Sequence, residues 1–421
     1  MFTRGFTAIA LPMFSCWLAG CQPMPHLTST LPRASASVSS TVAASEPDDR
    51  MTLLYATTRD PRGDASERSY NASLGDGLRL GVATLRVDDA GAGVREERTL
   101  PLLSGAWDRP TARLQNLSEQ AVFRTGADID VLSKDTARFF SAIDRALSAA
   151  PDKDVFIYVH GGMNSVYRTA ADAAQYRELT ERNSVVVAFV WPTTEYFPNY
   201  LIDMSNARQS AAAFSHFIEL LARHTHAEHI NILAHSLGSR IVSLALASLG
   251  TSAKGVQRDE LRDRLRLGEV YYAAADIEIK DFVSQLKHYA DLPLRTTLQA
   301  NRDDGILALL GAFPGSSRAG RLNVDELNDS DREALKYWAN GSRLDIVDVT
   351  SERGGNLMAR GHALWYERRW VSNDVLLEFM YHVPPQMRGL EASDSDGLRR
   401  WMFPSDYEKR VAAALQRLSR L

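Results

Sequence analysis

Short apolar runs alternate with helix-like patterns along most of the chain after residue 50. The clearest run is Val155–Val159, in which five successive residues are apolar. A continuous run of this length is typical of a central strand of a parallel sheet, because such a strand is buried on both faces. Apolar residues at helical spacing precede it: Phe139, Phe140, Ile143 and Leu147. The alternation predicts β-α-β units, and therefore an α/β fold with a mostly parallel central sheet and helices on both faces.

The same pattern predicts further strands at 52–56, 78–87, 184–191, 230–234, 269–275, 294–300 and 344–349, the last being the final strand. Near the C-terminus, Ser405 and Glu408 have the spacing of a capping box, and three apolar residues follow on one helical face: Val411, Leu415 and Leu418. We expect residues 51–390 to form one domain and residues 391–421 to contribute a helix that packs on it.

The first fifty residues differ in composition from the rest. Arg4 is followed by the apolar stretch 5–17 and then by Leu18-Ala19-Gly20-Cys21, an order typical of a secretory signal. The stretch is shorter than the ~20 apolar residues that span a bilayer. Its end resembles the bacterial lipobox, which implies that residues 1–20 are a lipoprotein signal peptide and that Cys21 carries a lipid anchor; a plain signal peptide is the alternative. Residues 21–50, rich in Ser, Thr, Ala and Pro, are expected to be a flexible tether.

Charge and cysteine content narrow the environment of the protein. Lys and Arg total 48 against 52 for Asp and Glu, a net charge of −4, so no nucleic-acid partner is expected. Cys16 and Cys21 are the two cysteines, so residues 22–421 contain no disulfide. Gln22 implies, by the resemblance to lipoproteins, an exported protein anchored in the outer membrane and facing the periplasm.

The segment from Asn231 to Gly238 combines an apolar strand, a tight turn of small residues and the start of a helix. A turn of this kind can hold a nucleophilic serine, and it needs small residues two positions on either side so that strand and helix can approach each other. Ser236 occupies the turn, and Ala234 and Gly238 occupy the two small positions. Ser236 is therefore the candidate nucleophile.

A serine hydroxyl needs a base, an acid that orients the base, and donors for the developing oxyanion. The sequence His160-Gly161-Gly162-Met163-Asn164 follows the strand Val155–Val159, where this fold places its oxyanion loop. Its glycines leave backbone N–H groups unobstructed. We expect the N–H of Gly162 or Met163 and that of Leu237 to form the oxyanion hole.

The candidate base is His362, since the chain order in this fold is serine, acid, histidine. His362 follows the last predicted strand by a short loop and precedes a predicted helix, whereas His288 and His382 are predicted to be surface or packing residues. Three other histidines, His224, His226 and His229, precede the serine and lack a matching carboxylate arrangement. A zinc site there is a minor alternative.

Two strand ends offer the acid of the triad. Asp304, with Asp303 beside it, follows the strand 294–300, and Asp276 follows the strand 269–275. Asp304 is preferred because an acid after the penultimate strand is the commoner arrangement in this superfamily. Asp303 and Asp276 stay open as alternatives, and Asp276 is also well placed to cap a helix that begins near Ile277.

These motifs resemble a group of bacterial α/β-hydrolases, esterase/lipase-like and catalogued as a domain of unknown function (DUF900 type), over roughly residues 52–383. The group has a strand followed by H-G-Y-N-N, then W-P-S, a tyrosine and an aspartate, G-H-S-M-G, A-P-D-I-D, N-D after a strand and G-H before the last helix. The matching positions are His160 to Asn164, Trp191 to Thr193, Tyr200 with Asp203, Ala234 to Gly238, Ala274 to Ile277, Asn301 to Asp304, and Gly361 with His362. The resemblance implies an α/β-hydrolase fold and favours Ser236, Asp304 and His362 as the triad.

Three positions depart from that group: Gly162 replaces a tyrosine, Ala234 a glycine and Ala275 a proline. None of them removes a catalytic group, although the preference for a substrate becomes harder to infer. The candidates for substrate binding are His160, Asn164, Tyr200, Asp203 and His235; Tyr200 and Asp203 are equally well explained as structural loop residues.

The sequence thus predicts a serine hydrolase that cleaves a carboxylic ester or a related acyl bond through an acyl-enzyme on Ser236. An acyltransferase with the same triad and a non-catalytic envelope scaffold are the alternatives. The chain shows no metal-ligand spacing, P-loop or dinucleotide motif, so neither a cofactor nor a metal is expected. The expected partners are a small-molecule or lipid-like acyl substrate and a membrane, reached through Cys21, while the oligomeric state stays open.

Overall fold

A computed structural model describes residues 49–88, 111–180, 182–252, 256–312, 316–350 and 361–418. The strands are β1 Arg50–Arg62, β2 Ser69–Asp88, β3 Thr111–Arg124, β4 Val155–Val159, β5 Val185–Val190, β6 Ile230–His235, β7 Leu267–Ala273, β8 Arg295–Ala300, β9 Leu344–Asp348, β10 Glu391–Ser395 and β11 Leu398–Met402. The helices are α1 Lys134–Ala149, α2 Val166–Leu179, α3 Tyr200–His224, α4 Gly238–Thr251, α5 Val256–Leu265, α6 Ile279–Leu286, α7 Gly305–Ala312, α8 Asp329–Asn340, α9 Leu364–Glu367, α10 Arg369–Tyr381 and α11 Tyr407–Leu418.

The strands of the described ranges form one sheet in the order β10-β11-β9-β8-β7-β6-β4-β5-β1-β2-β3. Every pairing from β11 across to β1 is parallel. Antiparallel strands flank both ends, with β2 and β3 beside β1 and β10 beside β11. The predicted fold class, an α/β-hydrolase fold with a mostly parallel sheet, is confirmed.

Strand β4 explains why the central strands are apolar throughout. Val155, Ile157 and Val159 belong to the core beneath α1, α3 and α4, whereas Phe156 and Tyr158 belong to the core beneath α2 and α10 on the other face. Because successive side chains point to opposite faces, a strand covered on both sides buries every residue. Each such side chain contributes about 1.5–3 kcal/mol relative to exposure.

Helix α1 shows how the local sequence sets an element in place. Ser133 begins it, since its Oγ accepts a hydrogen bond from the Thr136 N–H at 3.1 Å, which satisfies one of the donors that a helix N-terminus leaves unpaired. The residues predicted to face the core are all buried: Phe139, Phe140, Ile143 and Leu147. The helical interpretation of this segment is confirmed.

The C-terminal segment differs from the prediction. Residues 391–402 form the hairpin β10–β11 before the expected helix α11, and β11 pairs with β9, so 344–349 is not the final strand. Asp396 and Gly397 make the turn with φ values of 58° and 71°, and an Asp-Gly pair suits such a turn. The strand residues are mostly exposed or half-buried, so they lack the apolar pattern that marks the other strands.

Candidate active site

The carboxyl ends of β4, β6 and β8 meet at the same edge of the sheet because the three strands are parallel. Each is followed by one component of the predicted site: residues 160–164 after β4, Ser236 after β6 and Asp304 after β8. Loops at the carboxyl edge of a parallel sheet are the usual place for a site in α/β proteins.

Ser236 lies in the tight turn between β6 and α4, with a φ of 51°. This left-handed conformation is unfavourable for a residue with a side chain, and the Ser236 N–H donates to the Ala273 carbonyl at 2.9 Å. A Cβ atom on Gly238 would lie 2.5 Å from the His160 carbonyl oxygen. The close approach of α4 to the loop after β4 therefore requires glycine at this position.

His362 connects Ser236 to Asp304. Its Nε2 lies 3.0 Å from Ser236 Oγ, and its Nδ1 lies 2.9 Å from Asp304 Oδ2. Because a carboxylate accepts hydrogen bonds, Asp304 favours the tautomer with the proton on Nδ1, which leaves Nε2 to accept the serine proton. Asp304 is fully buried, and its Oδ1 accepts from the Leu307 N–H at 2.9 Å, so the carboxylate is held from both sides.

The two alternative acids lie in other surroundings. Asp303 is exposed. Asp276 is buried, where it accepts a hydrogen bond from the Tyr200 hydroxyl at 2.7 Å and pairs with Arg318 Nε at 3.1 Å. Burial raises the pKa of Asp276, and Arg318 acts in the opposite direction. Asp304 is thus the acid that contacts His362, and Asp276 belongs to a charged network beside it.

The loop after β4 packs directly against the serine turn. A Cβ atom on Gly161 would lie 3.0 Å from Ser236 Cβ, and one on Gly162 would lie 3.4 Å from Leu237 Cδ2. Leu237 stands at the N-terminus of α4, where backbone N–H groups have no helical acceptor. Within the described ranges, neither the Gly162 N–H nor the Leu237 N–H has an acceptor in the protein. The arrangement could donate two hydrogen bonds to an oxyanion.

Met163, the other predicted donor, is turned toward a different group. It has a φ of 54°, and its N–H interacts with the carboxylate of Asp203, which also accepts from the Thr194 N–H at 2.9 Å. Burial raises the pKa of Asp203, whereas these backbone donors lower it. Of the two loop donors that the sequence offered, Gly162 faces no acceptor in the described part of the chain, whereas Met163 faces the carboxylate of Asp203.

His160 does not line the cleft, contrary to its prediction as a substrate-binding candidate. The residue is fully buried and stacks on the Trp191 ring at 5.2 Å between centroids. Its Nδ1 lies 2.7 Å from the Gly161 carbonyl, and its Nε2 accepts from the Trp191 N–H at 3.1 Å. Both ring nitrogens of His160 thus have internal partners. The residue supports, from its buried side, the loop formed by residues 160–164, named here the glycine loop.

Two further candidates also have internal partners. Asn164 Oδ1 accepts from the Ser165 N–H at 2.9 Å, and Tyr200 is hydrogen-bonded to Asp276.

His235 is buried beside the triad, with its ring 5.5 Å from that of His362. Burial lowers the pKa of His235 to about 3, and the neighbouring His362 acts in the same direction. The imidazole of His235 is therefore neutral at physiological pH and packs against the base.

Two residues with supporting roles were not predicted. Asn301 Nδ2 donates to the Gly361 carbonyl at 3.2 Å, which ties the loop that carries Asp304 to the loop that carries His362. Arg59, in the last third of β1, is buried and donates to the Trp191 and Asn164 carbonyls, both at 3.0 Å. Asn301 could have been suspected from its place after a strand, but a lone arginine in an N-terminal strand carries no such indication.

A pocket of about 840 Å³ opens beside the glycine loop. It lies between β2, β3 and the segments that follow β4 and β5, and Arg59, which contacts Asn164, is part of its wall. Most of its lining is polar: Arg59, Glu67, Arg68, Ser69, Gln115, Asn116, Ser165, Thr193, Thr194 and Glu195. The strands β2 and β3 thus enclose space next to the segment that follows the glycine loop.

The three histidines before the serine do not converge. His224 Nε2 contacts the Ile129 carbonyl, His226 contacts Asp144, and His229 contacts Asp154. The structure therefore gives no support to a zinc site made of these three residues.

The predicted signal peptide, the lipobox with Cys21 and most of the predicted tether lie outside the described residues. Among the described residues, no helix is both long and apolar enough to cross a membrane.

Comparison with known proteins gives one family. No curated protein matches the chain. The family model described as alpha/beta hydrolase of unknown function (DUF900) matches residues 135–376, more than half of the chain. The matched range contains Ser236, Asp304 and His362, whereas β1–β3, β10, β11 and α11 lie outside it. The chain belongs to the DUF900 family of α/β-hydrolases.

Proposed function

We propose that the protein is a serine hydrolase that cleaves a carboxylic ester through an acyl-enzyme on Ser236. One observation carries the proposal: His362 lies within hydrogen-bond distance of both Ser236 Oγ and the buried carboxylate of Asp304, at 3.0 Å and 2.9 Å. A serine is a weak nucleophile until a base accepts its proton. The contacts give His362 the geometry of that base, and they give Asp304 the geometry of the group that orients it.

In the proposed reaction, Ser236 Oγ attacks the ester carbonyl carbon while its proton passes to His362 Nε2. The negative charge that develops on the carbonyl oxygen is stabilised by the N–H groups of Gly162 and Leu237 and by the N-terminus of α4. His362 then returns the proton to the leaving alcohol. A water molecule, deprotonated by His362, attacks the acyl-enzyme, and the proton passes from His362 to Ser236 as the carboxylic acid leaves.

In the proposed reaction, His362 becomes charged when it takes the proton of Ser236 or of the attacking water. Asp304 therefore stabilises the transition states more than the resting enzyme, and a preference of this kind accelerates the reaction. Its burial strengthens the effect, because water does not screen a carboxylate that is fully enclosed. Asn301 supports the same contact by joining the two loops.

We infer that the substrate is a small or polar ester. Ten of the sixteen residues that line the pocket beside the glycine loop are polar or charged, and their side chains can hydrogen-bond to polar groups of a substrate. Ser165 and Thr193 line the pocket and lie next to Asn164 of the loop, whose carbonyl accepts from Thr193 Oγ1 at 2.6 Å.

The test is hydrolysis of p-nitrophenyl esters by the full-length protein. We expect turnover of the acetate and butyrate esters, a faster rate for these than for the palmitate, and a burst of nitrophenol if release of the acyl group is slow. Ser236→Ala and His362→Ala should abolish turnover. Ser239→Ala is the matched control, since Ser239 is also buried but makes no hydrogen bond through its Oγ within the described residues.

Two outcomes would redirect the proposal. Faster release of nitrophenol on addition of an alcohol, with the corresponding new ester as product, would identify an acyltransferase that uses the same three residues. No turnover by a folded protein, with any chain length, would favour a non-catalytic scaffold, because fold alone does not determine function.

We also propose that the protein is exported and anchored to the outer membrane, facing the periplasm, through a lipid on Cys21. The support is the order of residues 1–21, with Arg4, an apolar stretch and Leu-Ala-Gly-Cys. The Ser- and Pro-containing segment that follows would let the catalytic domain reach substrates at a distance from the membrane.

A further inference from the structure

We propose that Asp154, His229 and His382 form a binding site for one divalent transition-metal ion of the Zn²⁺ class, remote from the candidate active site. The three residues, named here the Asp154 cluster, offer a carboxylate and two imidazoles whose ligand atoms all lie within 4.8 Å of one another. This site is independent of the proposed function.

The Asp154 cluster lies at the edge of the sheet opposite the serine. Asp154 immediately precedes β4, His229 immediately precedes β6, and His382 follows the last residue of α10. Ser236 lies beyond the other end of β6, and at ~3.3 Å per residue the intervening strand spans about 20 Å. A metal here would therefore not contact the reacting groups.

The donor atoms are already oriented toward one another. Asp154 Oδ2 lies 2.7 Å from His382 Nε2, and Asp154 Oδ1 lies 3.1 Å from His229 Nδ1. The two imidazole rings are 4.7 Å apart between centroids. Two nitrogens and a carboxylate oxygen are a common protein set for zinc, with water as a fourth ligand. Ligand atoms around a tetrahedral ion with bonds of ~2.0–2.2 Å lie about 3.3–3.6 Å apart. Binding would therefore move Asp154 Oδ2 and His382 Nε2 apart by less than about 1 Å and draw the more distant ligand atoms together.

Partners outside the three residues hold these donors in place. Glu269 Oε1 lies 3.2 Å from His382 Nδ1, and Asn231 Nδ2 donates to Asp154 Oδ2 at 2.9 Å. A carboxylate on the far nitrogen of a histidine ligand is a frequent feature of zinc sites, because it fixes the ring and makes the other nitrogen a better donor.

Charge and access also suit a cation. Asp154 and Glu269 place two buried carboxylates beside the imidazoles, and Arg295 Nε approaches Glu269 at 3.7 Å from one side. The side chains of His229 and His382 are 32% and 24% exposed, so an ion and its water ligand can reach them from solvent. On binding, the metal takes the place of the proton between His382 Nε2 and Asp154 Oδ2, and that proton passes to water.

The sequence could not indicate this site, which is why no metal was expected. Asp154 and His382 are separated by 228 positions, so no spacing motif joins them. His229 was considered with His224 and His226, from which the fold separates it.

The experiment is titration of full-length, untagged protein, previously treated with chelator, with ZnCl₂ in a calorimeter, together with thermal unfolding with and without the metal. We expect one Zn²⁺ per chain and a rise of Tm on saturation, since a ligand that binds only the folded state stabilises it. His229→Ala should weaken binding by at least about tenfold, because it removes one of three protein ligands.

His226→Ala is the matched control. His226 also pairs with an aspartate, Asp144, at 3.0 Å, but among the residues that the structure describes no second histidine joins that pair, and the His226 side chain is almost fully exposed. Its variant should bind Zn²⁺ as the unaltered protein does. The proposal is overturned if the unaltered protein binds no stoichiometric Zn²⁺, or if His229→Ala binds as tightly as His226→Ala.

A second measurement needs no variant and therefore does not depend on how a variant folds. Co²⁺ added to the unaltered protein should give the intense visible absorption of a four-coordinate ion with nitrogen and oxygen ligands, and Zn²⁺ should remove that absorption. The weak spectrum of six-coordinate aqueous Co²⁺ would contradict the proposal.

Discussion

Replacing Asp304 by asparagine tests how the carboxylate acts on His362. The substitution keeps the shape of the side chain but removes its charge and offers the histidine an amide. Asp304 Oδ2 lies 2.9 Å from His362 Nδ1. At an effective dielectric constant of about 20, a carboxylate at that distance stabilises an imidazolium by about 6 kcal/mol. The imidazolium forms only during the reaction, so nearly all of this energy would be lost from the transition state.

The amide retains part of the interaction through its dipole, so we expect kcat for a p-nitrophenyl ester to fall by about a thousandfold to ten-thousandfold, at ~1.4 kcal/mol for each factor of ten. Asp276 should not compensate, because Tyr200 and Arg318 already hold its carboxylate. The assay is the initial rate at saturating ester, with circular dichroism to verify that the variant is folded.

Asp303→Asn is the matched control for this substitution. Asp303 is the adjacent acid and is exposed. Its substitution should leave kcat within about twofold of the value for the unaltered protein, as surface substitutions usually do. The reasoning is refuted if Asp304→Asn keeps more than a tenth of the activity, or if Asp303→Asn loses as much as Asp304→Asn.

Three further predictions concern the loop, the protonation of a buried histidine and the N-terminus. Gly161→Ala should lower kcat by about a hundredfold, because the new Cβ would lie 3.0 Å from Ser236 Cβ and displacements of about 1 Å at an active site have effects of that size. In the same rate assay, Gly162→Ala should lower kcat far less, because its Cβ would meet no atom closer than 3.4 Å. Burial lowers the pKa of His235 to about 3. Between pH 6.5 and 3 the unfolded chain therefore binds a proton at His235 that the folded protein does not. The free energy of unfolding consequently decreases as the pH falls through this range. Urea unfolding at pH 7.5 and 5 should therefore show a loss of stability smaller by about 2 kcal/mol in His235→Gln than in the unaltered protein; equal losses would refute it. Cys21→Ser should move the protein from the membrane fraction to the soluble fraction without loss of ester hydrolysis, and retention in the membrane would contradict the lipid anchor.

The sequence was sufficient to locate the serine turn because its requirements are local. A strand, a serine and small residues at Ala234 and Gly238 must follow one another within a few positions. The structure gives the reason for the glycine, because a Cβ atom on Gly238 would lie 2.5 Å from the His160 carbonyl oxygen. His362 could be selected by its order in the chain. The choice among Asp304, Asp303 and Asp276 depended on which carboxylate reaches the histidine, and only the packing of β7 and β8 determines this.

Other features were beyond the reach of a linear pattern. His160 is a polar residue whose burial follows from two internal hydrogen bonds and a stacked tryptophan, partners that the sequence does not bring together. The hairpin at 391–402 lacks apolar alternation because much of its surface is exposed. The Asp154 cluster joins the starts of two strands to the end of a distant helix. In each case the contacts are long-range, and hydrophobic periodicity reports only local structure.

The most direct test of the account is to label the full-length protein with a fluorophosphonate and to map the modified peptide by mass spectrometry. A fluorophosphonate reacts with a serine only when a base activates it, so we predict a single adduct on Ser236, lost in both Ser236→Ala and His362→Ala and retained in Ser239→Ala. No adduct on the folded protein, or an adduct that persists in Ser236→Ala, would contradict the claim that Ser236 is an activated nucleophile.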